Sequence, residues 1–195
     1  RRILWYHRGA AWAAVILLCL AGWGIYEYVI PPREQTYAAY AEVRTILLPD
    51  STEVTLNRYS TLTCPVRFKG KNRNVSLSGE AYFEVRKDKE HPFVVQAGTA
   101  RACVLGTSFN IRHYEQEQIH ITLLTGSLAI ESEATNNPEI MKPGDDASLQ
   151  EDGQFIIQKK GETSRPMWTS GYFSFDDAPL SEVLCELGRW YNINV

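Results

Sequence analysis

The most constraining feature of the sequence is an alternation of apolar and polar residues that runs from residue 42 to about residue 160. Runs such as EVRTILL, EAYFEV and IHITLL place apolar side chains at every second position, which is the period of a strand with one buried face. Turn signals such as KGKN, KPGDD and EDG separate these runs. The pattern predicts a mainly β chain, with an all-β solenoid- or sandwich-like domain over residues 42–165.

A second feature is the uncharged stretch GAAWAAVILLCLAGWGIY near the N-terminus. Its 18 residues span about 27 Å as a helix, and residues up to 30 bring it close to the ~30 Å hydrocarbon core of a bilayer. Arginines precede the stretch and aromatic residues flank both of its ends. We therefore predict a transmembrane helix over residues 9–30, with a cytoplasmic flank at 1–8 and a linker at 31–41.

Two further expectations concern this N-terminal region. A cleavable signal peptide is the alternative to an anchor, but the apolar run is long for one and no A-x-A cleavage site follows it. The chain opens with RRILWY and no Met. We therefore expect an upstream cytoplasmic segment, with the N-terminus in the cytoplasm and the bulk of the chain in the periplasm.

The sequence changes character near its C-terminus. Residues 179–191, PLSEVLCELGRWY, carry apolar residues at helical spacing and Pro179 at the first turn, which predicts an amphipathic helix. Phe173 and Phe175 precede it, and an alternation begins at Ile193. We therefore predict that residues 168–195 are the truncated start of a small α+β domain.

Charge and cysteine usage exclude some functions. Residues 27–195 hold 17 basic and 23 acidic residues, which does not suit a nucleic-acid partner. The four cysteines form no C-x-x-C pair. Cys64 and Cys103 lie in apolar alternating runs, so buried free thiols are favoured over a disulfide between them.

Enzymatic and metal-binding patterns are weak. A metal-binding cupin needs a His-x-His pair, but Gln118 stands where the first histidine of Q-I-H would be. His113 and His120 are expected at the surface. Glu80 and Glu84 share one face of a predicted strand, as a glycosidase pair would, although a solvated face explains them equally simply. We predict no metal site, no cofactor and no enzyme acting on a separate substrate.

The segment VLGTSFNI, residues 104–111, predicts entry into a half-buried strand with Phe109 and Ile111 on its apolar face. Together with LLPDSTEVTLN, RNVSLSGEAYFEV, HPFVVQA, TLLTGSLAI and KPGDDASL, in this order, it resembles the FecR family of membrane-anchored sigma-factor regulators. The closing residues from Met167 resemble the start of that family's C-terminal domain, which is similar to the signalling domain of outer-membrane transporters. One departure is Ser51 after Asp50, where the family usually has Gly in the turn.

The resemblance implies an anti-sigma factor that relays a signal from an outer-membrane TonB-dependent transporter, importing iron or glycans, to a cytoplasmic extracytoplasmic-function (ECF) sigma factor. It implies an inner-membrane, single-pass protein whose C-terminal module meets the transporter's signalling domain. Tyr172 and Trp190 are the candidate partner-binding residues, whereas Trp168 and Tyr191 suit the module's own core equally well. A membrane-anchored periplasmic domain that binds or processes glycans remains the alternative.

Some FecR-like regulators are held to cut themselves within the LGT motif, which here is the Gly106-Thr107 bond. The Thr107 hydroxyl would attack the preceding carbonyl, the acyl group would shift from nitrogen to oxygen, and water would open the ester. Gly106 has no side chain to hinder the attack. The same residues also suit an ordinary turn into a strand, so self-cleavage is a prediction to be tested.

Overall fold

We describe the protein from a computed structural model, which covers residues 12–24, 33–115, 117–135, 137–161, 164–173, 175 and 179–191. The chain divides into two compact units, Arg1–Arg33 and Glu34–Val195. In the first unit, residues 12–24 form a helix, α1. Among the described residues no helix is both long and apolar enough to cross a membrane. The predicted span of 9–30 extends past the described helix at both ends, and the predicted flank 1–8 lies outside the described residues.

The second unit is mainly β, as predicted. Its described residues form thirteen strands, a 3-10 turn at Met167–Ser170 and a C-terminal helix, α2, at Leu180–Tyr191. The strands are β1 (Glu34–Ala39), β2 (Arg44–Leu47), β3 (Glu53–Leu56), β4 (Ser60–Pro65), β5 (Arg73–Glu84), β6 (Phe93–Ala97), β7 (Ala100–Val104), β8 (Ser108–His113), β9 (His120–Thr125), β10 (Leu128–Ser132), β11 (Glu139–Met141), β12 (Asp145–Leu149) and β13 (Phe155–Lys159).

The strands form two sheets that share β5. The first sheet has the order β1-β4-β5-β6-β7-β10-β11, and the second has the order β2-β3-β5-β8-β9-β12-β13. All pairs are antiparallel except β5 with β6. In that parallel pair, Arg73 at the start of β5 lies opposite Phe93 at the start of β6. After β5 has entered the second sheet, the chain therefore returns to the first sheet and β6 lies beside the beginning of β5.

Strand β5 passes from one sheet to the other at Gly79. Residues before it pair with β4 and β6, and residues from Gly79 to Glu84 pair with β8. Gly79 has φ +97°, and a side chain there would place its Cβ only 2.7 Å from the Ser60 Cα. Glycine is required because the corner combines a left-handed backbone with a close approach of another strand.

Side chains from both sheets form one apolar core, and the mainly β architecture agrees with the prediction. The rings of Phe83, from the second sheet, and Phe93, from the first, lie with centroids 6.1 Å apart. Phe83 also stacks on Phe109 at 5.0 Å. Phe109 and Ile111 are fully buried, so the predicted apolar face of VLGTSFNI is confirmed.

The predicted linker needs correction. Residues 34–39, predicted as part of a linker, form β1 and pair with β4 from Glu34↔Pro65 to Ala39↔Ser60. The predicted C-terminal helix is confirmed at Leu180–Tyr191. However, Phe173 and Phe175 lie outside any strand, and the expected alternation at Ile193 falls outside the described residues.

The cysteines are free thiols, as predicted. Cys64 lies on β4 and Cys103 on β7, with β5 and β6 between them. Three steps between neighbouring strands separate them by ~14 Å, whereas a disulfide needs Cα atoms within ~7 Å. A bridge between these two cysteines is therefore incompatible with the fold.

Candidate functional site

Helix α2 docks on the β domain through charged side chains. Arg112 of β8 lies 3.1 Å from Glu117 and 3.5 Å from Glu186 of the helix. Arg189 donates to Glu186 at 2.6 Å and also pairs with Glu117. We call these four residues the docking network. The domain and the helix each contribute one arginine and one glutamate to it. Glu186 is buried, so its pairing with two arginines offsets the cost of removing the carboxylate from water.

Aromatic contacts reinforce this docking. The Arg189 guanidinium lies 3.6 Å from the centre of the Tyr114 ring, and that of Arg58 lies 4.3 Å from the Trp190 ring. Arg58 also donates a hydrogen bond to the Trp190 carbonyl. Phe173 contacts Trp190 edge to face, with centroids 4.6 Å apart. Cation–π contacts therefore hold the end of α2 at two points.

A buried carboxyl group lies beneath the docking network. Glu80, on β5, accepts hydrogen bonds from the side-chain amides of Asn57 and Asn110, each at 2.8 Å. Burial raises the pKa of Glu80, and the nearby charge of Glu186 raises it further. The two amides act in the opposite direction, because each donates to the carboxylate.

The predicted face of Glu80 and Glu84 exists, but the chain's own C-terminal segment covers it. Arg165 pairs with Glu84 at 3.3 Å and lies over the Tyr82 ring at 4.9 Å. Glu80 is only 5% exposed. The two carboxyl groups therefore do not flank an open cleft of the kind that a glycosidase needs.

Part of the apolar side of α2 faces outward, although Val183 and Leu187 on the same side are half-buried. Leu180 is 72% exposed, Leu184 38% and Tyr191 66%, whereas Glu186 is buried. The helix is amphipathic as predicted, but its polar side contacts the domain. Large apolar side chains are thus left available on the C-terminal segment, which is a common sign of an interaction surface.

The two predicted partner-binding residues lie in different surroundings. Tyr172 follows the 3-10 turn and is 70% exposed. Trp190 is half-buried between Arg58 and Phe173, and its Nε1 is buried without a hydrogen-bond partner among the described residues. Of the pair, Tyr172 is the accessible one in this conformation. Of the two residues that suit the module's own core, Trp168 is buried and Tyr191 is exposed.

The Gly106-Thr107 bond lies at a tight turn between β7 and β8. Gly106 has φ +148°, and a Cβ on it would lie 2.7 Å from the Lys87 Cα. Thr107 is 4% exposed, its hydroxyl donates to the Ser127 carbonyl at 3.0 Å, and its own carbonyl accepts from the Val85 amide at 3.0 Å. The hydroxyl is therefore held in a fixed position beside the bond, and its hydrogen-bond partner is a carbonyl rather than a base.

The docking network was not predicted from the sequence. Glu186 and Arg189 are three residues apart, a spacing that could have suggested a helical ion pair. Arg112 and Glu117 lie more than sixty positions earlier, and only the tertiary fold brings them to the helix.

The described residues of the second unit thus form an all-β domain with a C-terminal helix docked on it. Residues 35–129 match the family model described as FecR protein. No curated protein sequence matches the chain. Together with the structural similarity described next, this match supports the resemblance to the FecR family that the sequence motifs predict.

Two crystal structures are similar to the protein, and both are of a candidate anti-sigma factor from Parabacteroides distasonis ATCC 8503. The structure at 2.50 Å resolution is 27% identical in sequence with a TM-score of 0.74, over 82% of this chain and 76% of the other. The structure at 1.65 Å gives the same identity and TM-score, over 81% of this chain and 75% of the other.

Proposed function

We propose that the protein is a membrane-anchored regulator of the anti-sigma-factor type. The observation that carries this proposal is the combination of the FecR match over residues 35–129 with structural similarity to a candidate anti-sigma factor over 82% of the chain. Such a role is regulatory and requires no substrate turnover.

The proposed relay runs from an outer-membrane TonB-dependent transporter to a cytoplasmic ECF sigma factor. Residues 9–30 anchor the protein in the inner membrane, with the arginine-rich N-terminal side in the cytoplasm and the β domain in the periplasm. The positive flank at Arg1, Arg2 and Arg8 and the aromatic residues at both ends of the apolar run support this orientation.

The proposed contact with the transporter's signalling domain is the exposed apolar side of the C-terminal segment. Tyr172 and Leu184 are accessible there, and Tyr172 is an aromatic of the kind that anchors interfaces. The docking network keeps Leu184 outward, because it turns the polar side of α2 toward the β domain.

A reporter assay tests the proposal. The protein is co-expressed with a candidate ECF sigma factor, a promoter which that sigma factor reads, and a transporter with or without its ligand. We expect the protein to change sigma activity and the ligand to modulate that change. Reporter activity that is the same in all of these combinations would refute the regulatory role.

Substitutions locate the contact. The double variant Tyr172→Ala/Leu184→Ala should lose the ligand response and keep the effect on basal sigma activity. Leu47→Ala is the matched control, because Leu47 is an apolar residue of β2 that is 65% exposed and lies outside the C-terminal segment. Equal effects of the double variant and the control would place the contact elsewhere.

A further inference from the structure

One end of the β domain carries a cluster of exposed cations. We call it the entry end, because it contains Glu34, where the chain enters the domain, together with loops 66–72 and 85–92. The pairing of Glu34 with Pro65 places loop 66–72 directly beside that entry point. Arg73 joins the two loops, since its amide donates to the Pro92 carbonyl and its Nε donates to the His91 carbonyl, both at 2.8 Å.

The charge at this end is opposite to that of the rest of the domain. The two loops hold six basic residues and two acidic ones, whereas residues 27–195 as a whole hold 17 basic and 23 acidic residues. The six basic side chains all belong to exposed residues: Arg67, Lys69, Lys71, Arg86, Lys87 and Lys89. Such segregation creates a positive surface on an acidic protein.

Two of these six cations have no carboxylate partner among the described residues. In the described part of the chain, neither Arg67 nor Lys71 forms an ion pair with an acidic side chain. Two of the acidic residues nearby are engaged elsewhere: Asp50 pairs with the buried Arg73 at 2.6 Å, and Asp88 bonds His91 at 3.0 Å. The six cations therefore outnumber the remaining carboxylates at this end, Glu34 and Glu90. Arg67 and Lys71 therefore remain available to an external anion.

The same end has the shape and apolar side chains of an interfacial surface. Loops 66–72 and 85–92 surround an open cavity of about 360 Å³, lined by Arg67, Phe68, Lys69, Gly70, Asp88 and His91 among others. Val66 and Leu105 are 45% and 44% exposed, and Leu105 is held beside the second loop because its carbonyl accepts from the Asp88 amide at 2.8 Å. Cations with a few exposed apolar side chains are the combination that binds lipid headgroup regions.

We infer that the entry end binds the anionic phospholipid headgroups of the membrane that carries the N-terminal anchor. The inference rests on the proposed anchor, and chain length supports it. Only residues 31–33 separate the proposed anchor, residues 9–30, from Glu34, a connection that spans at most ~15 Å when fully extended. The cluster thus lies at the end of the domain where the chain enters from the proposed anchor.

Vesicle binding by the isolated unit Glu34–Val195 tests this inference. The unit has its own apolar core, so it can be studied without the anchor. We expect it to bind vesicles of phosphatidylcholine with phosphatidylglycerol, to bind pure phosphatidylcholine vesicles far more weakly, and to be released by high salt. The double variant Arg67→Gln/Lys71→Gln should bind the anionic vesicles ~30-fold more weakly, since each cation contributes roughly 5-fold.

The matched control removes two cations from elsewhere on the domain, Arg44→Gln/Arg101→Gln, both of them exposed residues. It has the same net charge as the first variant and should keep wild-type binding. Equal losses in both variants, or equal binding to neutral vesicles, would refute a specific headgroup surface. Binding to polyglutamate but not to anionic vesicles would also refute it and would indicate an acidic protein partner.

Failure of this inference can be distinguished from failure of the proposed function. The vesicle assay uses a unit without residues 1–33 and reports only on the entry end. The anchor is tested by whether the full chain stays with the membrane fraction after an alkaline carbonate wash. Release of the full chain by that wash would refute the anchor. It would also remove the reason for proposing that the entry end binds this membrane.

Discussion

Ser51 is strained because it holds a backbone conformation that suits glycine. Its φ is +69°, in a turn where the Asp50 carboxylate accepts from the Thr52 amide at 3.0 Å and from the Thr52 hydroxyl at 2.7 Å. A left-handed conformation costs a non-glycine residue roughly 1–2 kcal/mol. A glycine avoids that cost, but its greater conformational freedom in the unfolded chain offsets part of the gain in stability. We expect Ser51→Gly to raise the free energy of unfolding by about 0.5–1 kcal/mol, measured by urea denaturation.

Ser51→Ala is the control, because it removes the hydroxyl and keeps the Cβ. Ser51 is exposed, so loss of its hydroxyl should change stability little. If the glycine variant were no more stable than the alanine variant, relief of backbone strain would not be the cause.

Glu80 is the residue whose ionisation should affect stability. Its pKa is raised above the ordinary value of 4.5, chiefly by burial. Between 4.5 and the raised pKa, the folded protein therefore binds more protons at this site than the unfolded chain does. The stability due to neutral Glu80 is complete below pH 4.5 and is lost as the pH rises through the raised pKa.

Glu80→Gln should remove this pH dependence. The Asn110 Oδ1 is buried without a hydrogen-bond partner among the described residues. After a rotation of the Asn110 side chain, this oxygen can accept a hydrogen bond from the amide group that the substitution introduces. Asn57 can still donate to the oxygen of the substituted side chain. We expect the wild type to lose stability relative to the variant as the pH rises above 4.5 and through the raised pKa of Glu80, measured by urea denaturation across that range. Glu151→Gln, at an exposed position, should run parallel to the wild type. A parallel profile for Glu80→Gln would contradict an elevated pKa at this residue.

At the scale of elements, Arg189 should control whether α2 stays docked. It pairs with Glu186 and Glu117 and lies over the Tyr114 ring, and its side chain is 12% exposed. Arg189→Gln leaves both carboxylates without that partner and removes the cation–π contact. We expect a loss of about 2 kcal/mol in docking, seen as ~30-fold faster hydrogen exchange in α2.

Arg165→Gln provides a comparison for that variant. Arg165 also pairs with two glutamates, Glu84 and Glu53, but its side chain is 44% exposed. Exposed pairs contribute ~1 kcal/mol or less, so exchange in α2 should change little. Similar effects of the two substitutions would mean that burial of the docking network does not determine its strength.

The strands and α2 could be predicted because their apolar periods are local properties of the sequence. Strand β1 could not, since EQTYAA has no clear alternation and its order depends on pairing with β4. The burial of Glu80 was missed for a similar reason. The period places Glu80 correctly on the face opposite Phe83, but only the docked C-terminal segment removes that face from water. The periodicity of α2 likewise identifies its apolar side without showing that the charged side contacts the domain.

At the scale of the whole molecule, the topology would keep a chain cut at Gly106-Thr107 together. Strand β5, before the bond, pairs with β8, after it, from Gly79↔His113 to Glu84↔Ser108. Strand β7 pairs with β10 in the same way, from Val104↔Leu128 to Ala100↔Ser132. Both sheets therefore contain strands from each side of the bond, and the common core contains side chains from both sides.

If the bond is cut, the protein should behave as one particle in native conditions and as two fragments when denatured. We expect a single peak in gel filtration, and two bands on a denaturing gel whose masses place the break between residues 106 and 107. Thr107→Ala lacks the attacking hydroxyl and should give one band, whereas Thr107→Ser keeps a hydroxyl and should still be cut. Single intact bands from the wild type and from both variants would show that Gly106-Thr107 is a structural turn, and fragments that persist in Thr107→Ala would point to an external protease.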